Sequence, residues 1–367
     1  MVIVPSSETI EAPRRTAMQP GNRVFRFASF PFDHDWSPPV PLSCGLSAVS
    51  LGSLDVLDRE GETQGQRDVR QAATAASLVP FYGLPGVGHD HFALVADHVQ
   101  AATSEAADEL FFAFLAALRL WRPLPMSFGG SYRAASPEGA IDSPFAAYHQ
   151  DASAISGPGP SEPESANRYI VSDLKIAAAL VSRVRSLSND DDPQLINAWT
   201  CFAQATLGTV GSAQFMVTAL FGVLEALLTP GHASGRDLGR RSACALQDRV
   251  LGLDVEEWIV SAYSQRRSAF AHGNVLWRTK ASAWGVPLTG EAARMVSTIH
   301  EIARLCLLRW LSQPGRWRKE TQAQRGAGLD ALTYRDSPIF RNSVSLLDGM
   351  AHQGNMSGRD HDLATGT

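Results

Sequence analysis

Residues 215–228 read FMVTALFGVLEALL, and this stretch decides the fold. Glu225 is its only charged residue, and Thr218 is its only other side chain able to hydrogen-bond. A segment of this length that is apolar nearly all round is a helix in the middle of a bundle. A lone carboxylate there is costly unless a donor meets it. Thr218, Gly222 and Glu225 follow one another at spacings of four and three, so they share a helix face. That face is expected to meet a donor on another helix, with Arg267 as the candidate. The alternatives are that Glu225 reaches solvent at the helix end or pairs with another arginine.

Helical periodicity extends outward on both sides. Toward the C-terminus, residues 238–251 read as a helix ending near Gly252. Residues 255–271 form the next, opened by Asp254 as N-cap with Glu257 three residues on, and followed by Gly273. Residues 291–311 carry Met295, Ile299, Ile302, Cys306 and Trp310 on one stripe before Pro314-Gly315. Toward the N-terminus, 195–207 and 173–187 are helices. Residues 108–122 form another, with Leu110, Phe111, Phe114, Leu115, Leu118 and Trp121 on one broad face and Pro123 ending it.

Between these regions, residues 124–167 are rich in Pro, Gly and Ser, centred on Ser156-Gly157-Pro158-Gly159-Pro160-Ser161, and read as inter-domain linker. Val24-Phe25-Arg26-Phe27 alternates, which points to short strands or an irregular pack within 23–60. The expected organisation is a flexible arm at 1–22, an N-terminal domain at 23–150, a linker at 151–167 and a helical domain at 168–320. An extension at 321–367 follows, disordered from about 349. The fold class is mainly α, with an N-terminal mixed or helical domain of unknown type.

Composition bounds the function. The chain has 367 residues, 44% hydrophobic and 19% charged, within the range of globular proteins. It holds no uninterrupted apolar run of about 18 residues, so no membrane partner is expected. Residues 1–15 lack a charged head followed by a long apolar stretch, and a cytoplasmic location is expected. Cys44, Cys201, Cys244 and Cys306 are far apart and form no C-x-x-C pair, which argues for reduced thiols rather than a zinc ribbon or disulfide framework. The net charge of -5 is uneven: residues 1–165 sum to -9 and residues 166–319 to +6. A basic segment beside an acidic one is compatible with an anionic ligand.

The chemistry-bearing residues gather late in the chain. Tyr263 and Arg267 lie four apart and project together. His272 follows Arg267 by five residues, about 140° round an ideal helix. A loosened last turn, the reach of the Arg side chain or a second subunit would bring the two groups together. A histidine in a last turn also sits at the negative end of the helix dipole, which favours its protonated form. With 29 Arg and 10 His in the chain, roughly 0.8 pairs at this spacing arise by chance, so the context must carry the reading.

That context is the pair of stretches 215–228 and Tyr263-Ser264-Gln265-Arg266-Arg267-Ser268-Ala269-Phe270-Ala271-His272-Gly273, with Ile196–Phe202 upstream. Together they resemble the Apea-like branch of the HEPN superfamily over residues 170–312. The resemblance implies a C-terminal HEPN-like helical bundle that forms a homodimer, in which the Arg and His of two subunits share a cleft. It implies a metal-independent endoribonuclease that cleaves RNA through 2′-OH attack, acting in stress response, defence or as a toxin. By position, Arg267 and His272 are the catalytic pair and Glu225 the acidic residue that steadies the arginine. Ser268 stands where many active members carry Asn, Asp or His. Arg266, Tyr263, Ser268 and Asn274 are read as substrate-binding. No metal or cofactor is expected. The alternative is a non-catalytic module of the same shape that binds RNA, a nucleotide or a protein partner, while residues 1–165 engage an unknown ligand. A purely structural helical interaction protein is the third reading.

Weaker candidates complete the survey. His89-Asp90-His91 with Asp97-His98 has no recognisable metal spacing and reads as a polar loop leading into a helix. Arg236, Arg240, Arg241 and Arg249 form either a phosphate-binding stripe or a solvated surface. Trp277 and Trp284 are base-stacking candidates or core.

Overall fold

The structure is a computed structural model that describes residues 23–30, 40–52, 90–97, 103–123, 127–134, 150–151, 169–190, 192–207, 213–229, 234–246, 249–250, 252–264, 290–311 and 322–330. These residues are mainly helical, with eight helices, one six-stranded sheet and one two-stranded ribbon among them.

The alternating stretch near the N-terminus is the centre of the larger sheet. Strand β1 (Arg23–Phe30) pairs antiparallel with β4 (Asp90–Asp97) on one side and β5 (Ser127–Ala134) on the other. Strand β3 (Ser47–Gly52) pairs with β4, and the two-residue strands β2 (Val40–Pro41) and β6 (Gln150–Asp151) form the edges. The order is β2-β3-β4-β1-β5-β6. Short edge strands leave little open ladder for another chain to join. The β2–β3 connection turns at Gly45, whose φ of 95° lies in the left-handed region that glycine adopts without steric cost. Leu42, Cys44, Leu46 and Ala48 bury themselves around that turn.

Two expectations are corrected by the sheet. The stretch 124–167 is not linker throughout: it contains β5 and β6. Tyr132 and Arg133 pair with Phe25 and Val24 of β1, so the long-range ladder overrides the local Gly and Ser content. Asp90-His91 does not sit in a loop but begins β4. Asp90 and Asp97 stand at opposite ends of that strand, about 24 Å apart at the usual rise, which rules out a metal site shared between them.

The helices build one contiguous core with the sheet. Helix α1 (Ser104–Trp121) starts where Thr103 Oγ1 accepts the Ala106 N–H and stops before Pro123. It buries Ala107, Leu110, Phe111, Phe114, Leu115 and Leu118 against β1 and against helices α2 (Val171–Arg185) and α3 (Pro193–Leu207). Helix α4 (Ala213–Leu228) is the expected central helix. It packs on α3, on α5 (Gly235–Ala245) and on α7 (Gly290–Leu311), and buries Val217, Leu220, Phe221, Val223 and Leu224. Phe221 has no solvent exposure, so its truncation to Ala costs about 3–5 kcal/mol.

Two polar clamps fix α1 to the later helices. Asp173 in the first turn of α2 is buried; it accepts from Trp121 Nε1 (2.7 Å), Arg122 Nη1 (2.8 Å) and the Ile170 N–H (2.9 Å). At the same end of α1, Arg304 of α7 donates to the carbonyls of Leu120 (3.0 Å) and Trp121 (2.9 Å), carbonyls that the end of α1 leaves without helical partners.

The helix expected over 238–251 ends at Ala245. Leu246 leaves helical geometry, and β7 (Arg249–Val250) and β8 (Leu253–Asp254) form a ribbon that turns at Gly252, φ 76°. Helix α6 (Val255–Ala262) follows, and α8 (Gln322–Asp330) is the last described element. No helix among the described residues is long and apolar enough to cross a membrane. The expected arm at 1–22 and the tail from 349 lie outside the described residues, as does all of the linker at 151–167 except Asp151.

Candidate functional site

The site is built where α4, α5 and α6 meet. Glu225 is half-buried near the end of α4, and Tyr263 is half-buried directly after α6. The Tyr263 hydroxyl donates to Glu225 Oε1 at 2.9 Å. This hydrogen bond brings a donor to the lone carboxylate of the apolar helix. The Tyr263 ring also stands edge-on to Phe221, one helical turn back on α4, with centroids 5.6 Å apart and planes at 77°. One aromatic side chain thus brings both a packing surface and a donor to α4.

Two glycines on α5 admit α6 to this position. A Cβ on Gly239 would lie 2.9 Å from the Glu256 carbonyl oxygen and 3.0 Å from Val260 Cγ2. A Cβ on Gly235 would lie 2.8 Å from Tyr263 Cδ1. The spacing of four puts both on one face, which is the face α6 covers. Gly222 of α4 is similarly constrained by Cys201 of α3, whose Sγ is 3.2 Å from where a Cβ would stand. Burial raises the Cys201 thiol above its ordinary pKa, and the charge of Glu225 adds to the effect. The shared face of Thr218, Gly222 and Glu225 therefore meets α3 at Gly222 and the end of α6 at Glu225.

The start of α6 follows the sequence. Asp254 Oδ1 accepts the Glu257 N–H at 2.9 Å, and Glu256 and Glu257 are exposed in the first turn, where the helix dipole favours negative charge. At its far end the helix widens into one π-type turn at Tyr263 and Ser264. Arg266, Arg267, Ser268, His272 and Asn274 lie outside the described residues, as do Trp277 and Trp284.

The arginines of α5 do not form one open stripe. Arg236 borders a surface hollow of about 590 Å³ lined also by Ala243, Asp254, Glu256, Glu257, Val260 and Ser261. Three carboxylates against one guanidinium make that hollow unsuited to a phosphate. Arg240 and Arg241 turn instead toward α8. Both donate to Oδ1 of Asp330, Arg241 through Nε at 2.9 Å, and Arg241 also donates from Nη1 to the Leu228 carbonyl at 2.8 Å. The hydrogen bond from Arg241, with that from Arg240 and against partial burial, holds the Asp330 carboxyl below its ordinary pKa. Arg249 lies in β7.

A second polar group lies deep between α1, α3 and α7. His300 is fully buried, its ring tilted by 35° against Phe202 with centroids 5.3 Å apart, and its Nε2 has no hydrogen-bond partner among the described residues. Burial, then the charges of Arg119 and Arg304, hold its pKa well below 6.5, so it is neutral. Among the described residues no group of three or more His, Cys, Asp or Glu side chains is placed to hold a metal ion.

Asp330, Cys201 and the Gly235/Gly239 pair were not singled out from the sequence. The four-residue glycine spacing was a visible signal for the close approach, whereas nothing local ties Asp330 to α5 across some 90 positions. Compared with protein-family models, with characterised proteins and with solved structures, the chain matches none.

Proposed function

We propose that the chain is a metal-independent endoribonuclease of HEPN type, with Arg267 and His272 as its catalytic pair. The observation that carries the reading is the Tyr263–Glu225 hydrogen bond. It ties the chain four residues ahead of Arg267 to the single carboxylate of the central apolar helix, the residue that the family resemblance pairs with the arginine.

The chemistry needs little from the protein. The RNA 2′-hydroxyl oxygen attacks the adjacent phosphorus as its proton passes to a base, and the bond from phosphorus to the 5′ oxygen breaks as that oxygen takes up a proton. The products are a 2′,3′-cyclic phosphate and a 5′-hydroxyl end. His272 supplies one proton transfer, and the same residue of a second subunit supplies the other. Arg267 binds two phosphate oxygens through its planar fork and offsets the charge that gathers there. Glu225 and Tyr263 position rather than react. Homodimerisation, a cytoplasmic setting and a part in defence, stress response or toxin action belong to the same proposal.

The test is cleavage of single-stranded RNA in excess EDTA by the parent and by Arg267→Ala. The proposal expects EDTA to leave the parent rate unchanged and the variant to lose at least about a hundredfold. Equal rates for parent and variant would point instead to a binding module.

A further inference from the structure

We infer that Arg240 and Arg241 of α5 form a phosphate-binding pair for the RNA backbone, and that Asp330 of α8 occupies it as an internal stand-in for the phosphate. The ligand class rests on the ribonuclease reading; the masking contact stands on its own geometry.

Two neighbouring guanidinium groups converge on one carboxylate oxygen, Oδ1 of Asp330. That is an arrangement a phosphodiester oxygen satisfies equally well, since arginine's donors match carboxylate and phosphate alike. Both guanidinium groups of the pair bond to Asp330. Asp237 also stands within ion-pair distance of Arg240, at 3.9 Å, and is itself engaged by Ser234. Arg241 is held in place from behind: its side chain is 9% exposed, and Nη1 is fixed to the Leu228 carbonyl. It is thus preorganised for whichever oxygen stands in front of it. Arg240 and Asp330 are 40% and 43% exposed, so an incoming strand can reach them without opening the core.

The occupying helix is also short. Helix α8 has nine residues, and Leu329 is its one fully buried side chain among those described. A nine-residue helix has little stability of its own and depends on its docking. Displacing Asp330 therefore exposes a basic pair beside the end of α4, a few residues from Glu225.

The experiment measures binding separately from cleavage. The probe is a 2′-O-methyl RNA 20-mer, which has no free 2′-hydroxyl to attack. Its Kd is followed by fluorescence anisotropy across a salt series for the full chain. Asp330→Asn is expected to tighten binding by about threefold or more at low salt. It should also steepen the salt slope by about 0.7 for each further phosphate that the freed arginines neutralise. Adding Arg240→Ala to that variant should reverse both changes. Leu329→Ala, which loosens α8 while leaving every charge in place, should act in the same direction as Asp330→Asn. It serves as the arm if Asp330→Asn does not fold. Unchanged Kd and slope in the folded variants, or tightening that survives Arg240→Ala, would overturn the inference. Tightening without any cleavage of ordinary RNA would leave the pair in place and remove the ribonuclease reading. Cleavage with no tightening would do the reverse.

Discussion

The hydroxyl of Tyr263 donates to Glu225 Oε1 across 2.9 Å, so the one charged residue of the central apolar helix is met by the residue that directly follows α6. The contact joins two segments 38 residues apart in the chain. A carboxylate in this half-buried position needs its donor, because an unpaired one loses hydration without compensation.

Removing the donor alone should therefore destabilise the fold. Tyr263→Phe keeps the ring against Phe221 and loses only the hydroxyl, at a cost of about 1–2 kcal/mol in urea unfolding. Combined with Glu225→Gln in a double-mutant cycle, it should show a coupling of at least about 0.5 kcal/mol. Strictly additive losses would mean that the two groups do not depend on each other.

Gly235 should tolerate no side chain while Tyr263 is in place. A Cβ there would stand 2.8 Å from Tyr263 Cδ1, and that ring is held by both Phe221 and Glu225. Gly235→Ala should cost about 1–2 kcal/mol by overpacking, despite the better helix propensity of Ala. The same substitution in a Tyr263→Ala chain should be neutral or stabilising. A penalty of equal size in both backgrounds would place the strain elsewhere.

His300 makes a prediction about pH. Its native pKa is held well below 6.5, first by burial and then by Arg119 and Arg304. The unfolded chain takes up a proton there as pH falls through about 6.5, and the native chain does not. Stability contributed by this site is thus fully present above that pH and is lost below it, by up to about 1.4 kcal/mol per pH unit. Comparing the pH dependence of urea unfolding between the parent and His300→Leu isolates this contribution. The variant should show a shallower decline from pH 6.5 to 5, and parallel curves would count against a neutral buried imidazole.

Most of the helical frame was legible because apolar residues recur at the helical period, as in 108–122 and 215–228, and because Pro123 stops a helix wherever it stands. Strands β4 and β5 were hidden for a physical reason. Their partners lie up to about a hundred residues away, and Gly129-Gly130 or Asp90-His91 carry no local strand preference. The helix expected over 238–251 overshoots because its apolar spacing continues through Val250 and Leu251, past the point where Leu246 leaves helical geometry. At the site, the sequence isolated Glu225 and Tyr263 separately. The donor expected for Glu225 is Arg267, which lies outside the described residues, while the hydrogen bond described here comes from the phenol of Tyr263, directly after α6.

The most direct test of the account is the rate of RNA cleavage by the full chain in excess EDTA, parent against His272→Ala, with the new 3′ ends identified. The account predicts 2′,3′-cyclic phosphate ends from the parent and a loss of about a hundredfold or more in the variant. Cleavage at the parent rate by His272→Ala, or none by the parent, would contradict it.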